Sequence, residues 1–168
     1  MHDDVTVGLI KSIAEGLLAN RPGYFVKLHA GVTDAELDLF EQRFSLQLPA
    51  AFRALYKWKD GQPASCSESL HGNRRFSPLE AVTETKELLD GMIGFDFEDE
   101  RWWRRGWIPF LSSGGGDHLC LDIEGQDGCQ PGQIIAFWHD WEDRSVEWPT
   151  FDAWLKQLAI AAGVRTET

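Results

Sequence analysis

Apolar positions recur at helical spacing in the first part of the chain and alternate in the later part. Val5, Leu9, Ile13 and Leu17 return every fourth residue, which predicts a first helix with one apolar face, stopped by Asn20-Arg21-Pro22-Gly23. Thr33-Asp34-Ala35-Glu36 is a capping box, in which the threonine hydroxyl accepts from the amide three residues on while the glutamate reaches back. It opens a second helix with Leu37, Phe40 and Phe44 on its stripe. Leu48-Pro49 starts a third, short helix, because a residue without an N–H fits the first helical position. Phe52, Leu55 and Tyr56 face inward from it, and Asp60-Gly61 turns the chain. Residues 62–73 read as a loop. Ser77-Pro78 opens a fourth helix through Leu79, Val82, Leu88 and Leu89, closing near Gly91 or Gly94.

After a polar, aromatic bridge the period changes. Trp107-Ile108-Pro109-Phe110-Leu111 predicts a strand, with Pro109 marking an edge or a bulge. From Asp117 to Ile123, Leu119, Leu121 and Ile123 share one face and His118, Cys120 and Asp122 the other. Residues 132–138 read as a third strand and 145–148 as a fourth. Phe151, Trp154, Leu155, Leu158, Ala159 and Ala162 then trace one face of a closing helix before Gly163. Helices first, then clustered short strands, then a closing helix make an α+β chain rather than an alternating α/β one. No repeat, linker or low-complexity tract interrupts it, so residues 1–168 read as one domain.

Composition narrows the function. At 168 residues and 43% hydrophobic the chain is long enough to bury a core, yet no apolar run nears the ~20 residues of a membrane span. The start, Met1-His2-Asp3-Asp4, is acidic and its first apolar stretch is broken by Lys11 and Glu15, so no secretory signal and a cytoplasmic location are expected. Net charge is −11: residues 1–84 carry 9 basic and 11 acidic side chains, residues 85–168 carry 7 and 16. Such a field argues against direct contact with nucleic acid or an anionic membrane, and steers a basic partner towards the second half. The competing explanation is that the acidity only aids solubility. Cys66, Cys120 and Cys129 form an odd set with no C-x-x-C, which fits a reducing compartment.

Three chemical readings are disfavoured, each for its own reason. His118, Cys120 and Asp122 share a strand face, but its first and last side chains stand ~13 Å apart and one ion cannot touch both. His139 or Cys129 could complete a smaller site, though nothing requires it, and neither metal nor cofactor is expected. Gly114-Gly115-Gly116-Asp117 leads into a strand with no lysine, which makes it a turn rather than a phosphate loop. Pairs such as Cys66 with His71, or Cys120 with His139, carry no nucleophile signature, and acidic surroundings would raise a thiol's pKa. No catalytic residue is expected.

Tryptophan is more informative. Seven of the eight lie beyond residue 100. Trp102 and Trp103 follow Asp96-Phe97-Glu98-Asp99-Glu100, and Trp141 sits in His139-Asp140-Trp141-Glu142-Asp143. Aromatic anchors ringed by polar groups are the anatomy of interface hot spots, and an acidic rim speeds encounter with a basic partner. Asp96, Glu98, Asp99, Glu100, Trp102, Trp103, Asp140, Trp141, Glu142 and Asp143 are therefore the expected partner-binding residues. The alternative is a solvated loop in which Glu100 pairs with Arg104 and Arg101, Arg104 and Arg105 stack on the tryptophans.

Three segments resemble the SUKH superfamily, which includes Smi/Knr-type cell-wall regulators of fungi and many bacterial immunity proteins. The first runs from Leu48-Pro49-Ala50-Ala51-Phe52-Arg53 to Asp60-Gly61; the second is Trp107-Ile108-Pro109-Phe110 with Gly115-Gly116-Asp117 and Leu121-Asp122. The third is residues 132–140, Ser145 and Phe151-x-x-Trp154-Leu155. The likeness covers residues 33–158, with 1–32 as an N-terminal helix and lead-in. It implies N-terminal helices packed on a small, mostly antiparallel sheet with a closing C-terminal helix. On that resemblance Pro49, Gly61, Trp107, Pro109, Gly115, Gly116, Asp117, Asp122 and Trp154 are structural: Gly61 and Gly115-Gly116 allow turns, Asp117 caps turn amides, and Trp107 and Trp154 fill the core between sheet and helix. It further implies a non-enzymatic scaffold that neutralises a cognate toxin domain, often a nuclease or nucleic-acid deaminase, or else a regulatory interaction module without a toxin. Residues 96–105 match no family motif. Exposed tryptophans leave the chain a monomer or a weak homodimer.

Overall fold

The computed structural model of the chain describes residues 2–99, 101–125 and 131–163. Helix α1 (His2–Asn20) buries Thr6, Ile10, Ile13 and Leu17, while Val5 is 50% exposed. A strict four-residue repeat drifts by roughly 40° per step around a helix, so the first residue of the predicted stripe has rotated away from the last. Pro22 then starts a single turn, α2 (Pro22–Phe25). The capping box forms as the sequence predicts and opens α3 (Asp34–Phe44), with Thr33 accepting from the Glu36 amide at 3.2 Å and Glu36 accepting from the Thr33 amide at 2.7 Å. Pro49 is the N-cap of α4 (Ala50–Trp58), one position earlier than expected. Arg53 on α4 reaches back to Asp34 and Asp38 at 3.0 Å each and to Glu41 at 3.3 Å, which ties α3 to α4.

Helix α5 (Leu79–Met92) presents Leu79, Val82, Lys86 and Leu89 inward. Leu88, expected on that face, is 67% exposed. Helix α6 (Phe151–Ala162) is capped by Thr150 and buries Phe151, Trp154, Leu155, Leu158 and Ala162. Between these helices runs one five-stranded antiparallel meander in chain order: β1 (Arg75–Phe76), β2 (Trp107–Ser112), β3 (His118–Asp122), β4 (Gln133–Phe137) and β5 (Val146–Trp148). β1 is absent from the sequence reading because two residues cannot display an alternating period. Pro109 sits where the β2–β3 register shifts, so the missing N–H coincides with a bulge.

Both faces of the sheet are covered. Ile108, Phe110, Leu119, Leu121, Ile134 and Ala136 pack into the main core with α1, α4 and α6. Trp107, Cys120, Ile135 and Phe137 point the other way and join Leu89 and Trp103 in a second core. This corrects one expectation: Trp154 fills the core between sheet and closing helix, but Trp107 serves the opposite face. Each fully buried apolar side chain contributes about 1.5–3 kcal/mol, so both layers stabilise the sheet.

The loop before β1 is organised by Gln62, which is 3% exposed. Its Oε1 accepts from the Tyr24 hydroxyl at 2.5 Å and the Phe76 amide at 3.0 Å, and its Nε2 donates to the Cys66 and Glu68 carbonyls. Gly61 has φ +69°, and a Cβ there would lie 2.4 Å from the Pro78 nitrogen, so glycine is required twice over. In the β2–β3 turn Gly114 and Gly116, rather than Gly115, hold positive φ. The turn amides of Gly114 and Gly115 donate to Ser112 and Ser113, while the Asp117 carboxylate, expected on those amides, instead accepts from His139. Among the described residues no helix is long and apolar enough to cross a membrane.

Candidate functional site

The segment after α5 is pinned from below by a buried lysine. Lys86 Nζ donates to the Arg105 carbonyl at 2.5 Å and the Trp107 carbonyl at 3.2 Å and pairs with Asp90 at 3.2 Å. Burial lowers its pKa, and the Asp90 carboxylate opposes that shift. Asp90 also accepts the Trp103 indole N–H at 2.8 Å. Trp103 is thereby drawn into the second core, edge-on to Trp107 and Phe137, and is 1% exposed. It is core, not a surface anchor; charged sequence neighbours misled because the lysine and aspartate beneath it are supplied by a helix more than ten residues away.

Trp102 is half-buried, with Phe97 6.0 Å from its ring. The cation over it is Arg144, whose guanidinium lies 5.0 Å from Trp102 and 4.6 Å from Phe137. Arg144 Nε donates to the Trp102 carbonyl at 3.0 Å, and Nη1 donates to the carbonyls of Trp141 at 2.6 Å and Asp143 at 2.8 Å. One side chain thus joins the two acidic-aromatic segments. Trp141 is 63% exposed, its indole N–H on Asp143 at 2.8 Å.

Two clefts mark the seam. One, of about 200 Å³, is lined by Asp99, Arg101, Trp102, Glu142 and Asp143; the other, of about 260 Å³, shares Arg101, Glu142 and Asp143 and is also lined by Arg104, Trp107 and Arg144. The structure therefore brings together Asp99, Trp102, Glu142 and Asp143 from the predicted set, with Trp141 beside them. Asp96 and Glu98 are exposed but line neither cleft, Asp140 is exposed and pairs with His139 Nε2 at 3.0 Å, and Glu100 lies outside the described residues. Asp99 is hydrogen-bonded to the Arg101 guanidinium, which holds its carboxyl below the usual range.

Sequence reasoning missed one contributor. Arg144 is the only lysine or arginine between residues 139 and 147, and that isolation was the available signal.

The sheet residues weighed for chemistry are structural. Cys120 is fully buried in the second core, where burial pushes its thiol up and away from the reactive thiolate. His118 is pushed down to about 4, chiefly by burial and then by Arg74, and its ring stacks on Phe137. Asp122 accepts from the amides of Glu124 and Gly125 and from Gln133 Nε2 at 3.1 Å, closing the turn after β3. Among the described residues no group of three or more His, Cys, Asp or Glu side chains could hold a metal ion; Cys129 lies outside them.

The family model of the SMI1 / KNR4 family (SUKH-1) matches residues 31–157. No curated protein matches the chain.

Proposed function

The chain belongs to the SMI1/KNR4 (SUKH-1) family, whose domains act through protein–protein interaction and are generally non-enzymatic, and from this premise we propose that it is an immunity protein that binds and neutralises a cognate toxin domain. Family membership supports an immunity protein or a Knr4-type regulator in general. The observation that carries the finer reading is Trp141, a large ring 63% exposed, followed by Glu142 and Asp143 and joined through Arg144 to Trp102, which lines a cleft with Asp99. An exposed indole costs hydration that a partner's surface would relieve, and its fixed geometry makes it an anchor at low entropic cost.

The chain's net charge of −11 would steer a basic domain, such as one that acts on nucleic acid, towards this face in the cytoplasm. Carboxylates at Asp99, Glu142 and Asp143 would take the places of phosphates there. The interleaved Arg101, Arg104 and Arg144 favour the second reading, a regulatory partner of mixed charge. Co-expression separates the two. The product of a neighbouring gene should be toxic alone, harmless with this chain and recovered with it in a stoichiometric complex. If no neighbour is toxic or bound, the regulatory reading stands in its place.

A further inference from the structure

An opening beside the sheet shares no lining residue with the two clefts of the proposed interface. It measures about 530 Å³ and lies between the 71–74 turn, β5 and α6. That volume falls in the range of small-molecule sites, roughly 300–1,000 Å³. Its walls include Trp138, Trp148 and His71, the last two with rings 5.8 Å apart.

Arg74 is the unusual member. It is 5% exposed, and its backbone is fixed by a reciprocal pair of hydrogen bonds with His71. The guanidinium lies 5.2 Å from the Trp138 ring, so the aromatic face holds its plane. Among the described residues it forms no ion pair, and Nη1 is buried with no hydrogen-bond partner. The nearby acids are otherwise engaged: Asp117 accepts from His139, and Glu147 accepts from the Ser145 hydroxyl at 2.7 Å. Buried guanidinium groups are normally satisfied by a carboxylate or phosphate, because an unpaired buried charge is costly.

We infer that this cavity binds a small planar carboxylate, with the carboxylate on the Arg74 guanidinium and the flat apolar body among Trp138, Trp148 and His71. A carboxylate is favoured over a phosphate by the surrounding field. Glu147 lines the cavity and Asp117 acts on Arg74 from nearby, so two carboxylates stand against one guanidinium, and a second negative charge on the ligand adds more repulsion than attraction. Fork-shaped pairing of guanidinium with carboxylate supplies the orientation, and the aromatic walls supply the apolar contact.

The test is calorimetric titration of the full chain with benzoate, indole-3-acetate and inorganic phosphate. Saturable binding of the two carboxylates is expected with a Kd of about 1 mM or tighter, and none for phosphate. Arg74→Gln should weaken carboxylate binding at least tenfold. Because that variant removes a buried side chain, Glu147→Gln provides the second arm: its side chain is exposed, and removing its charge should tighten binding severalfold at low salt. Carboxylates that fail to saturate by about 10 mM, or bind Arg74→Gln and Glu147→Gln as they bind the parent, overturn the assignment. Saturable phosphate binding at the same site overturns the choice of carboxylate.

Discussion

Arg144 donates through Nε to the carbonyl of Trp102, 42 residues earlier in the chain, at 3.0 Å. The same guanidinium covers the Trp102 ring and holds the carbonyls of Trp141 and Asp143. Two segments that are separate acidic runs in the sequence therefore form one face, fixed by one cation.

Arg144→Ala should loosen that face. The substitution removes three charge-assisted hydrogen bonds to carbonyls and contact with two rings, at a cost of about 2–3 kcal/mol in the folded state. Urea titration followed by tryptophan fluorescence would measure the loss. A change under about 0.5 kcal/mol would mean that the segments are held by something else.

Trp103 and Trp141 should behave oppositely although both are tryptophans in charged sequence. Trp103→Ala opens a cavity in the second core and removes one of the hydrogen bonds to the Asp90 carboxylate, which keeps its Lys86 partner, and should destabilise by about 3–5 kcal/mol. Trp141→Ala removes a ring that is 63% exposed and should leave stability within about 0.5 kcal/mol. Thermal unfolding of the two variants side by side distinguishes a core residue from a free surface anchor.

That contrast marks what the sequence could and could not reveal. Helices α3, α4 and α6 follow from a cap, a proline and an apolar stripe, all signals within a few residues of the element. The outer stripe of α1 and the place of Leu88 drifted because spacing alone leaves a helix's rotation loosely set. Trp103 was misplaced because its burial depends on Lys86 and Asp90 of α5, and no local pattern records that meeting. The grouping was half legible: Asp99, Trp102, Glu142 and Asp143 come from the two acidic-aromatic runs and line one cleft, whereas Arg144, which joins the two segments, belongs to no predicted motif.

Stability should fall on the acid side through His118. The unfolded chain protonates this ring near its ordinary 6.5, and the folded chain resists until about 4. Between those values the unfolded state binds more protons, so stability is fully present above 6.5 and is lost as pH falls towards 4. The effect is on the order of 3 kcal/mol across the window. Subtracting the pH profile of His118→Gln from that of the parent isolates it; parallel profiles would contradict it. His139 has the opposite sign. Its hydrogen bond to Asp117 raises its pKa, so its contribution is present at low pH and disappears as pH rises through the raised value.

Gln62→Leu should test how the loop before β1 is held. The substitution keeps the volume roughly but leaves the Phe76 amide and the Cys66 carbonyl without their partners in a buried position. A loss of about 2–4 kcal/mol is expected, with hydrogen exchange rising first in residues 62–73. Unchanged exchange there would assign the loop's order to other contacts.

The most direct measurement is the affinity and association rate of this chain for the neighbouring gene's product, at about 50 mM and about 500 mM salt. Trp141→Ala should weaken binding roughly 30-fold or more, the scale of a hot-spot residue. The triple variant Asp99→Asn, Glu142→Gln, Asp143→Asn should slow association about tenfold at low salt and match the parent at high salt. If both variants bind as the parent does at either salt concentration, the partner does not use the face that Arg144 assembles.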